Sequence, residues 1–264
     1  MCFKKLFGKP DPVVTPFEGD KLLLSFAINN YPGSGSDLNG CLNDQKNLIA
    51  KITTLWPEFK VRKFSDSEVT KARYIAEVTN LLKQFKPGDT LLFFMDSCFS
   101  EDNTRALTVC DEQERFHVID GFRPEGRAKK RFLNPPESEM KYLSFSMCQD
   151  YQTSSDAYIS GTYQGAGTFA AIKSLHLGIT YRQWVNQTTA ILDTLGFDQI
   201  PALQGPEMKK DQVVGTGRVF IVQYSGHGTQ LPDNNGDEQD GYDEALYLYD
   251  GALRDDEIAA LLNT

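Results

Sequence analysis

Two positions in this sequence carry groups that act together in nucleophilic catalysis. Cys98 directly follows a short apolar run, residues 90–95, in the stretch Asp96-Ser97-Cys98-Phe99-Ser100. His227 directly follows a second run, residues 218–223, in Tyr224-Ser225-Gly226-His227-Gly228-Thr229. A thiol at its ordinary pKa is scarcely ionised at neutral pH, so a nucleophilic cysteine needs an imidazole within reach as base. Gly226 and Gly228 flank the histidine and let backbone approach a substrate, and the N–H groups of Gly228 and Cys98 are candidate donors to an oxyanion. Taken singly, a cysteine is more often a small buried hydrophobe and a loop histidine a solvated residue. Their joint placement after two apolar runs sets this pair apart.

The elements that must position them are legible from pattern. Runs 22–28, 61–64, 90–95, 142–147 and 218–222 are short and apolar without alternation, as strands buried on both faces are. Helical periodicity marks 38–52, 69–85, 165–176, 181–195 and 255–262. Ser65 and Glu68 form a capping box ahead of the second of these, and Lys86-Pro87-Gly88-Asp89 stops it. Such a succession predicts the α/β class, a mostly parallel sheet with helices on both faces. Ligands in such sheets bind beyond the carboxyl ends of the strands, where both Cys98 and His227 stand. If their strands are neighbours, thiol and imidazole face each other. The predicted organisation is a flexible lead-in over 1–20 and one domain over 21–264. An exposed connection spans about 100–139 and holds Arg123, Arg127, Lys129, Lys130 and Arg131. Gly165-Ala166-Gly167-Thr168-Phe169-Ala170 matches a dinucleotide-binding spacing, but no strongly apolar strand precedes it and no acid follows at the required distance. It reads as a tightly packed helix start.

Composition removes several classes of function. With 264 residues, 40% hydrophobic and 24% charged, the chain is long enough to bury a large core, which excludes a disordered or fibrous protein. A net charge of -9 argues against nucleic acid as partner and suits cationic ligands. No apolar run is long enough to span a bilayer, and the first residues lack the apolar stretch of a secretory signal. Cys2, Cys41, Cys98, Cys110 and Cys148 are scattered without metal-like spacing, which predicts free thiols in a reducing, cytoplasmic setting. The acidic residues from Asp233 to Glu244 do not make an EF-hand, because Glu238 stands where its glycine is required.

Three stretches resemble the metacaspases, the caspase-like cysteine peptidases. They are Tyr224 to Gln230 with Asp237-Glu238 and Asp240 to Leu246, Asp96-Ser97-Cys98, and Asp37 to Asp44. Cys148-Gln149-Asp150 and Gln152 to Ala157 are similar to the start of the family's small-subunit region. The likeness covers most of the chain from Leu22 onward, and it implies a caspase-like fold and cleavage of polypeptides after Arg or Lys. By the same likeness Cys98, His227 and Gly228 are catalytic. Asp44, Asp96, Cys41 and Ser225, with Asp156, line the pocket for the basic side chain. Asp243, Asp255, Asp256 and Asp102 form a calcium site that stimulates activity. Two departures stand out: the cysteine motif precedes the histidine motif, the reverse of the family order, and Glu101 stands where a glycine is usual. A basic connection after Cys98 also makes the chain its own potential substrate, nicked after Arg127, Lys129, Lys130 or Arg131. The alternative is a catalytically impaired caspase-fold binding or scaffold protein; a thiol hydrolase of small esters shares the dyad but has no use for an acidic pocket.

Overall fold

A computed structural model describes residues 12–17, 19–33, 35, 37–97, 137, 140–148, 154–234 and 241–262, and the backbone of 113–114. In chain order the elements are β1 (Lys21–Ala27), α1 (Cys41–Leu55), β2 (Lys60–Ser65), α2 (Lys71–Leu82), β3 (Thr90–Asp96) and β4 (Gln113–Glu114). Next come β5 (Leu143–Ser146), β6 (Ser155–Ile159), β7 (Thr162–Gly165), α3 (Ala166–Ser174) and α4 (Tyr181–Leu195). The rest are β8 (Ala202–Gln204), α5 (Glu207–Lys210), β9 (Val219–Ser225), β10 (Gly228–Pro232), β11 (Tyr242–Leu248), β12 (Gly251–Arg254) and α6 (Asp255–Leu262).

Six strands form the central sheet in the order β2-β1-β9-β3-β5-β8. The first five are mutually parallel, and β8 closes the edge antiparallel to β5. This is the α/β architecture the apolar runs predict. β1, β3 and β9 are buried on both sides because their successive side chains feed two cores, whereas β2, at the sheet's edge, has no fully buried residue and leaves Val61 exposed. Leu22, Leu24, Leu91, Phe93, Phe220 and Val222 pack with Tyr74, Val78 and Leu81 of α2 and with Ile258 and Leu262 of α6. The intervening Leu23, Leu92, Phe94 and Ile221 pack with Leu48 and Ile52 of α1, Ala171 of α3 and Trp184 and Val185 of α4. No helix among the described residues is long and apolar enough to cross a membrane.

Some boundaries differ from expectation for identifiable reasons. The capping box forms, but it heads a single 3-10 turn over Asp66–Glu68. Asp66 there has φ +47°, outside helical backbone. The helix proper starts at Lys71 under a second cap, Thr70, whose side chain accepts the Arg73 N–H. Two three-stranded sheets, β4-β6-β7 and β10-β11-β12, lie outside the predicted strands. The run Gly165 to Ala170 does start a packed helix: a Cβ on Gly167 would lie 2.5 Å from Met147 Cβ.

Candidate active site

The two strands that carry the chemistry are neighbours. β9 runs between β1 and β3, parallel to both, with Asp96 opposite Ser225 and Ala27 opposite that same serine. Each motif residue follows its strand at the same distance, Cys98 two residues beyond Asp96 and His227 two beyond Ser225. Chain direction and register therefore bring the carboxyl ends of β3 and β9 side by side. Ser97 is fully buried; Cys98, Glu101 and Asp102 lie outside the described residues.

His227 is only 2% exposed. Its backbone N–H donates to Tyr31 Oη at 2.8 Å, and its carbonyl accepts from Tyr224 Oη at 2.9 Å and from the Tyr247 N–H at 3.0 Å. The Tyr31 ring packs on the imidazole with centroids 4.8 Å apart. Tyr31 belongs to the loop after β1, where its own N–H is held by Asp37 Oδ1 at 2.9 Å. Burial, and Tyr31 beside it, push the Tyr224 hydroxyl well above the ordinary tyrosine range, so it stays protonated and donates. Gly226 is required here, because a Cβ would lie 2.6 Å from Tyr224 Oη and 2.8 Å from Tyr31 Oη. Gly228 opens β10 opposite Leu246, so the imidazole sits at the junction of the central sheet and the β10-β11-β12 sheet.

The acidic residues converge on the start of α3. Asp44, on the first turn of α1, accepts the Gly165 N–H at 2.9 Å through Oδ1 and the Ser225 hydroxyl at 2.9 Å through Oδ2. Asp96, fully buried at the end of β3, accepts the Thr168 N–H at 3.2 Å and the hydroxyls of Thr168 and Ser154. Asp156 pairs with Gly165 across the β6-β7 hairpin and accepts the N–H groups of Asn39 at 2.8 Å and Gly40 at 3.1 Å. Gly40 is obligatory at this crossing, since a Cβ would fall on Asp156 Oδ1. The first turn of a helix has spare N–H donors and a partial positive charge, which favours carboxylates. Cys41, at the head of α1, is fully buried in the core that holds Tyr31 and Tyr224. The five residues expected around a basic side chain thus come together, with their acids held by backbone and hydroxyl donors.

The expected calcium residues behave differently. Asp243 is 1% exposed and its Oδ2 accepts from Arg254, which also donates to the Pro232 carbonyl at 2.9 Å. Burial raises the Asp243 carboxyl above its usual range; Arg254 pulls it back, while Asp256 and Asp233 push it further up. Asp255 and Asp256 lie in the first turn of α6. Among the described residues no three acids, histidines or cysteines come close enough together to hold a metal ion. Asp102, the fourth residue expected there, lies outside the described residues. The basic positions Arg127, Lys129, Lys130 and Arg131 are outside the described residues.

Tyr31, Tyr224, Tyr247 and Thr168 were not legible as site residues. The only local signals were the Gly226-Gly228 pair beside a tyrosine and the small-residue start of α3.

No family model matches the chain. Metacaspase-1A of Aspergillus fumigatus is 51% identical over 47 residues, which is 16% of this chain and 11% of that protein. Metacaspase-1B of Aspergillus terreus is 44% identical over 47 residues, and Metacaspase-1 of Emericella nidulans is 51% identical over 47 residues. The match thus spans 11–12% of the length of these curated relatives. Among solved structures, protein GSU0716 of Geobacter sulfurreducens superposes with TM-score 0.53 at 14% identity, covering 75% of this chain and 99% of that one. That likeness is one of fold.

Proposed function

We propose that this chain is a cysteine endopeptidase of metacaspase type, cutting polypeptides after Arg or Lys with Cys98 as nucleophile and His227 as base. The observation that carries the reading is the parallel pairing of β3 with β9 in the register Asp96 to Ser225. It brings the ends of the strands that precede Cys98 and His227 side by side, and the short metacaspase match supports the chemical class. In this mechanism His227 takes the Cys98 proton, and the thiolate adds to the scissile carbonyl carbon. The oxyanion is met by backbone N–H groups that include Gly228. The imidazolium then protonates the departing amine, leaving an acyl-thioester, and His227 activates the water that hydrolyses it.

Arg and Lys preference rests on Asp44, Asp96 and Asp156 beside Ser225 and Cys41, a buried group of carboxylates on which a guanidinium or ammonium would settle. The same chain offers itself as a substrate. β4 pairs antiparallel with β6, setting Gln113 opposite Asp156 and Glu114 opposite Ser155, and Arg115 is the next residue. Part of the connection after Cys98 thus runs alongside the acidic group, so Arg115 joins the four basic positions farther on as a candidate for self-cleavage.

Fluorogenic peptides ending in Arg, Lys, Asp or Phe test the specificity. Asp44→Asn removes one charge from the acidic group, and losing a buried charge partner costs about 2–5 kcal/mol, so Arg and Lys turnover is expected to fall by roughly one and a half to three and a half decades. A preference for Arg over Phe that survives Asp44→Asn unchanged would count against this pocket.

A further inference from the structure

The β10-β11-β12 sheet is closed by one side chain that the peptidase reading does not use. Arg254 is the last residue of β12 and pairs with Ala245 on β11. Asp243 is two residues from Ala245 and so lies on the same face of the strand, diagonal to Arg254 and within reach of a long side chain. The guanidinium joins the Asp243 carboxylate to the Pro232 carbonyl of β10, so one planar group on β12 ties the other two strands together. Asp243 is 1% exposed and Arg254 20% exposed. A buried carboxylate costs stability unless hydrogen bonds or a cation compensate it, and here one guanidinium nitrogen donates to both the Asp243 carboxylate and the Pro232 carbonyl.

We infer that Arg254 is the resident counter-cation of this corner, holding the three-stranded sheet where a divalent ion would otherwise be needed. The arrangement bears on the candidate site through covalent and hydrogen-bond continuity. β10 begins one residue after His227, and Tyr247 on β11 donates its N–H to the His227 carbonyl. Arg254 therefore braces the sheet that the histidine loop enters, a structural role that stands whether or not the chain is a peptidase.

The test is thermal unfolding of the full chain in the Cys98→Ala background, which removes self-cleavage from the readout. Each variant is melted in chelator and again in millimolar calcium. Arg254→Gln strands the buried carboxylate, and its midpoint in chelator is expected to drop by roughly 4–12 °C. Calcium is expected to recover part of that drop, so the gap between the two conditions is wider for Arg254→Gln than for the parent. Adding Asp243→Asn should return the gap to the parental value. A gap in Arg254→Gln equal to or narrower than the parent's overturns the inference, as does a wide gap that persists after Asp243→Asn. Should Arg254→Gln not fold, the double variant Arg254→Gln with Asp243→Asn decides: a double variant that folds supports the inference, and one that also fails to fold overturns it.

Discussion

His227 is fixed through its backbone by three tyrosines. Tyr31 accepts its N–H, and Tyr224 and Tyr247 donate to its carbonyl. Tyr31→Phe keeps the ring against the imidazole but leaves a buried N–H without its acceptor, a loss of about 1–3 kcal/mol. Urea denaturation in the Cys98→Ala background is expected to report that loss, and a midpoint within error of the parent would refute the anchoring role. The candidate nucleophile and base could be picked out locally, because each follows an apolar run within a distinctive motif. Tyr31 could not, since it meets His227 across 196 positions of chain and nothing in its own neighbourhood marks it. The acids could be grouped only through the family likeness, and their donors could not be foreseen, because Asp44 meets Gly165 across 121 positions and Asp96 meets Thr168 across 72.

At the level of elements, the start of α3 organises the acidic group. Its Thr168 gives both an N–H and a hydroxyl to Asp96, while Gly165 just before it gives an N–H to Asp44. Hydrogen bonds to a charged group contribute about 1.5–3 kcal/mol, so Thr168→Val, which keeps shape and loses the hydroxyl, should destabilise by about that amount. It should also raise KM for Arg peptides while leaving the fold intact by circular dichroism. Unchanged stability and unchanged KM together would remove α3 from the account of the pocket. The buried strands could be read from their unbroken apolar runs and the amphipathic helices from their periodicity, both of which report burial. The small sheets could not, because β6, β7 and β10 to β12 mix small, polar and turn residues without a sustained period. The capping box shows the limit of local chemistry. Ser65 and Glu68 make the expected bonds, yet the positive φ of Asp66 and the competing cap at Thr70 move the helix start to Lys71.

Across the whole molecule, strand order departs from chain order at the place that matters. β9 comes late in sequence but lies between β1 and β3, so the cysteine-bearing and histidine-bearing strands are adjacent although their motifs are reversed along the chain. Neither motif nor periodicity fixes strand order; the apolar pattern allows several, and only the packed sheet selects one. A break in the connection between β3 and β5 would leave β9 and β5 on one fragment, interleaved with β1 and β3 on the other. We therefore expect a chain nicked after Arg115, Arg127, Lys129, Lys130 or Arg131 to run as two fragments in denaturant and as one particle by native mass spectrometry. Fragments that part without denaturant would contradict this sheet order. The central claim, that Cys98 and His227 act as one unit, is tested most directly by the turnover of an Arg-ending fluorogenic peptide by the parent chain, Cys98→Ala and His227→Ala. The account predicts that both variants fall to the same low background, because removing either member of such a pair costs nearly as much as removing both. Near-parental turnover in either variant would contradict it.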